Sequence, residues 1–146
     1  MGDAPNSLER TRQIAGEHTQ KEGPLLPVLH AVQKEFGFIS SDAIPVIADV
    51  LNLSRAQVYG TISFYHDFRT EPTLPTIVKL CAAEACQAMG GRKLAVEIAE
   101  SPDPDVCIEN VYCLGLCATA PAAMINNEVY GRLDIHRLRA LVEATK

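Results

Sequence analysis

Four of the five cysteines in this 146-residue chain fall into two tight pairs, Cys81-x4-Cys86 and Cys113-x3-Cys117. A pairing of this kind restricts the fold, because both short loops must turn their thiols toward one point. Close cysteine pairs in a reducing compartment mean metal or redox work more often than structural disulfides. A tetrahedral zinc ion and a [2Fe–2S] cluster both take four thiolates, so Cys81, Cys86, Cys113 and Cys117 are the candidate ligands. Wider intervals suit the larger two-iron rhombus better than the x2 knuckles common at structural zinc. Spacing alone still leaves three readings open: cluster, zinc, or thiols that are free, oxidised or transient.

Bulk properties exclude several classes. The composition, 47% hydrophobic and 21% charged, is that of an ordinary globular protein. With 18 acidic against 13 basic side chains the formal charge is −5, and no Lys/Arg block offers a stripe for nucleic acid. No apolar run is long enough to span a bilayer, and the polar start MGDAPNSLERTRQ has no apolar signal core. The expectation is a cytoplasmic protein. No glycine-rich dinucleotide fingerprint and no phosphate loop is present. Electrons could therefore be held here, but a nicotinamide or flavin would have to sit on a partner.

Hydrophobic periodicity divides the chain. Residues 1–70 read as an N-terminal helical bundle, in which about 1–21 are either flexible or a first, polar helix centred on 8–20. A second helix starts at Gly23-Pro24, carries Leu25, Leu29, Val32 and Phe36 on one face, and stops at Gly37. A third spans about 42–51, with Ile44, Ile47 and Leu51 on one side. Ser54-x-x-Gln57 is a capping box opening a fourth, which runs toward Phe64, Tyr65 and Phe68. A proline-bearing linker, Thr70–Pro75, follows. Residues 76–146 read as a small sheet backed by helices. The predicted elements are a strand at 76–80, a helix at 85–99 with a soft spot at Gly90-Gly91, and a strand at 106–111. A hairpin around Asn126-Asn127 and a last helix capped by Asp134 complete the order β-α-β-β-β-α.

Both cysteine pairs lie just past strand ends, which are rigid platforms. Gly115 between the second pair suits a tight turn with its amide toward the site. Cys107, inside a strand, reads as a small buried hydrophobe. His30 reads as a packing residue, and His66 and His136 as surface residues; no persuasive acid–base pair is found among the carboxylates.

The segments LHAVQKEFGFIS (29–40), VYGTISFYHDF (58–68), KLCAAEAC (79–86) and ENVYCLGLCATAPAAMINNEVYG (109–131) closely resemble the 24 kDa [2Fe–2S] subunit family of NADH:quinone oxidoreductase, respiratory complex I. The same module occurs in soluble NAD-reducing hydrogenases and in NAD-dependent formate dehydrogenases. The likeness covers about residues 22–144. It implies an α/β fold: the helical bundle followed by a thioredoxin-like domain with a small mixed sheet. It aligns Cys81, Cys86, Cys113 and Cys117 one by one with the family's cluster ligands and leaves Cys107 without a ligand role. A shorter interval between the pairs and the absence of a C-terminal extension make the chain most like the small gamma subunit of a soluble NAD-dependent formate dehydrogenase. The equivalent subunit of an NAD-reducing hydrogenase or of NADH:quinone oxidoreductase is the alternative, and a zinc-stabilised non-redox interaction module is another.

The implied role is that of an electron carrier with no catalytic site of its own. It would hold one [2Fe–2S] cluster that exchanges single electrons with FMN on an NADH-binding flavoprotein subunit. Through that subunit it would communicate with an iron–sulfur and molybdenum- or tungsten-containing catalytic subunit. The bundle is expected to dock the flavoprotein, with Tyr59, Phe64, Tyr65 and Phe68 shared between core and contact.

Overall fold

The computed structural model describes residues 4–145. The chain divides into two compact units, with the division between Thr73 and Leu74.

The first unit is all helical: α1 (Ala4–Glu17), α2 (Leu25–Phe36), α3 (Ala43–Leu51) and α4 (Arg55–Phe64). The polar first segment is a regular helix from residue 4 onward; the expected start at 1–3 lies outside the described residues. Its buried stripe is Thr11, Ile14 and Ala15, so narrow and so weakly apolar that it reads as polar. Thr11 can be buried because its hydroxyl donates to the Ser7 carbonyl one turn back. Helix α2 ends at Gly37, whose φ of 82° is the left-handed C-cap the sequence suggests. Ser54 and Gln57 form the reciprocal capping box at the start of α4. Val28, Leu29, Val32, Ile47, Val58 and Ile62 form the core, closed on one side by Phe68. Gln33 ties the chain after α4 back to α2, donating to the Asp67 carbonyl and accepting from the Arg69 amide.

The second unit is a mixed sheet with helices, as the resemblance implies. Strands β1 (Thr76–Cys81), β2 (Val106–Val111), β3 (Ala123–Ile125) and β4 (Glu128–Tyr130) lie in the order β2-β1-β3-β4. β1 and β2 are parallel, and β1–β3 and β3–β4 are antiparallel. Helices α5 (Arg92–Ala99) and α6 (Ile135–Ala144) supply Leu94, Ile98, Leu138 and Val142, which pack with Val78, Leu80, Ala123 and Ile125 of the sheet. Asn126 takes a φ of 53° in the hairpin, and the Asp134 carboxylate accepts from the Arg137 amide to cap α6. The expected single helix over 85–99 is broken. A short turn, Glu84–Cys86, runs into a wide turn, Gln87–Gly91, before α5 begins. Gly90, with φ 100°, makes the break, a backbone angle only glycine adopts freely.

Candidate metal centre

The parallel register aligns Cys81, at the end of β1, with Val111, at the end of β2. The chain past each strand then folds over the other. The Ala82 amide donates to the Val111 carbonyl and the Cys81 amide to the Ala122 carbonyl. These two bonds draw the loop of the first cysteine pair, the loop of the second and the start of β3 together. Cys81, Cys86, Ala120 and Ala122 form a small separate cluster, flanked by Ala83, Val111, Leu114 and Leu116. Its walls are alanine, leucine and valine, which bring no polar side chain to compete with the backbone N–H groups beside the sulfurs.

Several amides do point at the sulfurs. Burial pushes the Cys81 thiol up, yet it sits below the ordinary thiol range, because the Ala83, Leu114 and Cys113 amides and the Cys86 thiol all donate to it. Cys86 is shifted the other way. Burial is the main cause, followed by its hydrogen bond to Cys81, and the nearby charges of Cys81 and Cys117 add to it, against the Ala122 amide. The Gly115 amide lies 3.4 Å from the Cys113 sulfur, at a glycine φ of 77°. Cys113 itself has φ 95°, a conformation that costs a side-chain-bearing residue about 1–3 kcal/mol and persists only where the surroundings impose it. All five cysteines are free thiols; Cys81 and Cys86 are buried, while Cys113 and Cys117 face solvent.

Of the four thiols singled out by spacing, Cys81 and Cys86 are brought together at one corner of the sheet, and Cys113 and Cys117 lie on the exposed loop beside it. Cys81 touches Cys86 and the amides of the second loop, and Cys86 lies within electrostatic reach of Cys117. Among the described residues, no three His, Cys, Asp or Glu side chains gather around a position for one metal ion. The donor set of this corner is all sulfur, with amides aimed at it, and it fits an anionic iron–sulfur cluster held two thiolates per iron.

Other candidate residues fall elsewhere. Cys107 is half-buried rather than buried, on β2, with its thiol 3.7 Å from the Glu109 carboxylate. His30 is exposed and leans its ring on Phe68, 4.9 Å between centroids. His66 and His136 are on the surface. Of the four aromatics, Phe68 is buried and Tyr59, Phe64 and Tyr65 are exposed by 60%, 74% and 44%. The sequence reading expects backbone N–H donors along both cysteine loops but singles out only that of Gly115; Ala83, Leu114 and Ala122 are named by the structure, since any residue carries an amide. That reading missed Gln87, whose side chain donates to the Ala82 carbonyl and accepts from Arg92, bracing the first loop.

Residues 11–146 match the model of the thioredoxin-like [2Fe–2S] ferredoxin family. The chain is 35% identical over 132 residues to the NADP-reducing hydrogenase subunit HndA of Solidesulfovibrio fructosivorans, covering 84% of this chain and 77% of that one. It is 28% identical over 145 residues to an NADH-quinone oxidoreductase subunit of Rhizobium meliloti, covering 93% and 86%. In structure it resembles NAD+-reducing [NiFe]-hydrogenase in the air-oxidised state, with a TM-score of 0.67 and 25% identity over 80% of this chain but only 22% of the other. The chain belongs to the thioredoxin-like [2Fe–2S] ferredoxin family. That makes it one of the non-catalytic electron-carrier subunits of multisubunit NAD-linked oxidoreductases.

Proposed function

We propose that Cys81, Cys86, Cys113 and Cys117 hold one [2Fe–2S] cluster, and that the chain passes single electrons between this cluster and FMN on a partner flavoprotein that also binds NAD(H). The observation that carries the reading is that the loops of the two cysteine pairs are zipped together by the Ala82–Val111 and Cys81–Ala122 backbone bonds, with the Gly115 amide 3.4 Å from the Cys113 sulfur. When bound, such a cluster accepts and returns one electron at a time. The chain's own contribution is to hold the ligands, shield them and set the surrounding dipoles. Ala83, Leu114 and Gly115 amides stabilise negative charge on sulfur, which favours the reduced state. The exposed side at Cys113 and Cys117 is where a partner's redox group can approach closely.

In this reading residues 1–70 form a helical domain and 76–146 the cluster domain. The exposed Tyr59, Phe64 and Tyr65 belong to the flavoprotein contact. Among the described residues no helix is long and apolar enough to cross a membrane, and we assign the complex to the cytoplasm.

The named relatives support an NAD(P)-linked hydrogenase or NADH:quinone oxidoreductase complex better than a formate dehydrogenase. A formate complex, with its molybdenum- or tungsten-containing subunit, rests on overall likeness of sequence alone. Purifying the native complex tests all of this at once: its subunits name the terminal substrate. A reduced sample should give a [2Fe–2S] signal by electron paramagnetic resonance, and a colourless zinc-loaded chain would refute the redox reading.

A further inference from the structure

Beside the second cysteine pair lies a recess of about 290 Å³ lined by Leu116, Thr119, Val129, Gly131, Arg132 and Arg137. It lies wholly within the second unit. Both arginines are exposed, and among the described residues neither guanidinium has a carboxylate partner. In a chain of net charge −5, a recess with two unpaired guanidiniums is a local reversal of sign.

Its backbone is firmly held. Arg132 has a φ of 54°, the left-handed region that favours glycine. The Arg132 amide donates to the Thr119 carbonyl at 2.6 Å and the Leu133 amide to the Pro121 carbonyl at 3.1 Å. Gly131 is pressed against the same loop, since a β-carbon there would lie 2.5 Å from the Thr119 hydroxyl. Arg132 is thereby fixed to the loop that follows Cys117.

We propose that this recess receives a carboxylate side chain from an acidic segment of the protein that exchanges electrons with the chain. The inference rests on the electron-transfer reading above. The available donors decide the kind of occupant. A site for a free phosphate usually gathers backbone amides; here those of Arg132, Leu133 and Arg137 are already bonded to Thr119, Pro121 and Asp134. What remains is two planar guanidiniums, suited to bidentate pairing with a carboxylate, beside the apolar Leu116 and Val129. Those walls match the methylene stem of a Glu or Asp on a partner. The contact would bring that partner to the exposed Cys117 side, and it would steer the encounter.

The test uses the full chain with its cluster and the flavoprotein subunit purified from the native complex. Three forms are compared: wild type, the pair Arg132→Glu with Arg137→Glu, and the pair Arg132→Lys with Arg137→Lys. Affinity is measured at low and high ionic strength, about 0.05 and 0.5 M, with the reduced-cluster signal recorded on every sample. The expected result is a loss of about tenfold or more for the reversed pair at low salt, shrinking at high salt, with most affinity kept by the lysine pair. Reversed variants that retain the cluster signal and bind like wild type at low salt would overturn the proposal, as would a loss equal at both salts. A wild-type chain lacking the signal would overturn the electron-transfer reading instead.

Discussion

Gly91 packs directly on Cys86: a β-carbon on Gly91 would stand 2.6 Å from the Cys86 carbonyl oxygen and 3.0 Å from the carbonyl carbon. Backbone cannot yield as a flexible side chain can. The wide turn at 87–91 therefore fixes the position of the first cysteine pair, and the broken helix is part of the site. Gly91→Ala is expected to destabilise the chain by about 1–3 kcal/mol and to lower its iron content. Gly60→Ala makes the contrast, because nothing lies within 4 Å of a β-carbon there, in the interior of α4. It should stabilise by about 0.5–1 kcal/mol. Thermal unfolding and iron analysis of the two variants check the pair.

Ser54→Ala removes the hydroxyl that accepts from the Gln57 amide and donates to Gln57 Oε1, and leaves only the backbone N–H of residue 54 bonded to Gln57 Oε1. The expected loss is about 1 kcal/mol. Since the capping box belongs to the helical unit, the reduced-cluster signal per chain should be unchanged. Denaturant titration alongside that signal tests both halves.

The opposite shifts at Cys81 and Cys86 make a prediction for the metal-free chain. Cys81 is lowered, so its contribution to stability is present above its unfolded pKa and is lost as pH falls through the folded one. Cys86 is raised, so its contribution is present below its unfolded pKa and is lost as pH rises through the folded one. Only the thiolate is alkylated readily. Iodoacetamide labelling followed by peptide mass spectrometry, run from mildly acid to alkaline pH, should give Cys81 the lower midpoint. The reverse order would contradict the amide arrangement described for Cys81.

Much of the fold is legible in the sequence because its signals are local. Gly37, the Ser54–Gln57 box, Asn126 and Asp134 each mark an element end by their own backbone or hydrogen-bond chemistry, and each does so in the structure. Helix α1 is harder to read, because Thr11 and Ala15 share its buried stripe and carry little hydrophobic signal. The break at Gly90 is foreshadowed by the glycine pair, but its purpose is tertiary, set by Cys86. The thiols of the candidate site announce themselves by type and spacing. The amides that surround them do not, since their direction depends on how two loops from distant parts of the chain are zipped at Val111 and Ala122. The left-handed Arg132 is equally silent in sequence, because no local preference marks an arginine for that position.

The central claim is that four particular thiols hold one two-iron cluster while the fifth does not. The direct measurement is electron paramagnetic resonance of reduced samples, with iron and sulfide analysis, on the full chain freed of its partner subunits, as wild type and as five single Cys→Ala variants. Wild type and Cys107→Ala should each carry about two irons and two sulfides per chain and the same signal. Variants at Cys81, Cys86, Cys113 and Cys117 should lose or grossly alter it. An unchanged signal in any of those four, or its loss in Cys107→Ala with the fold intact, would contradict the assignment.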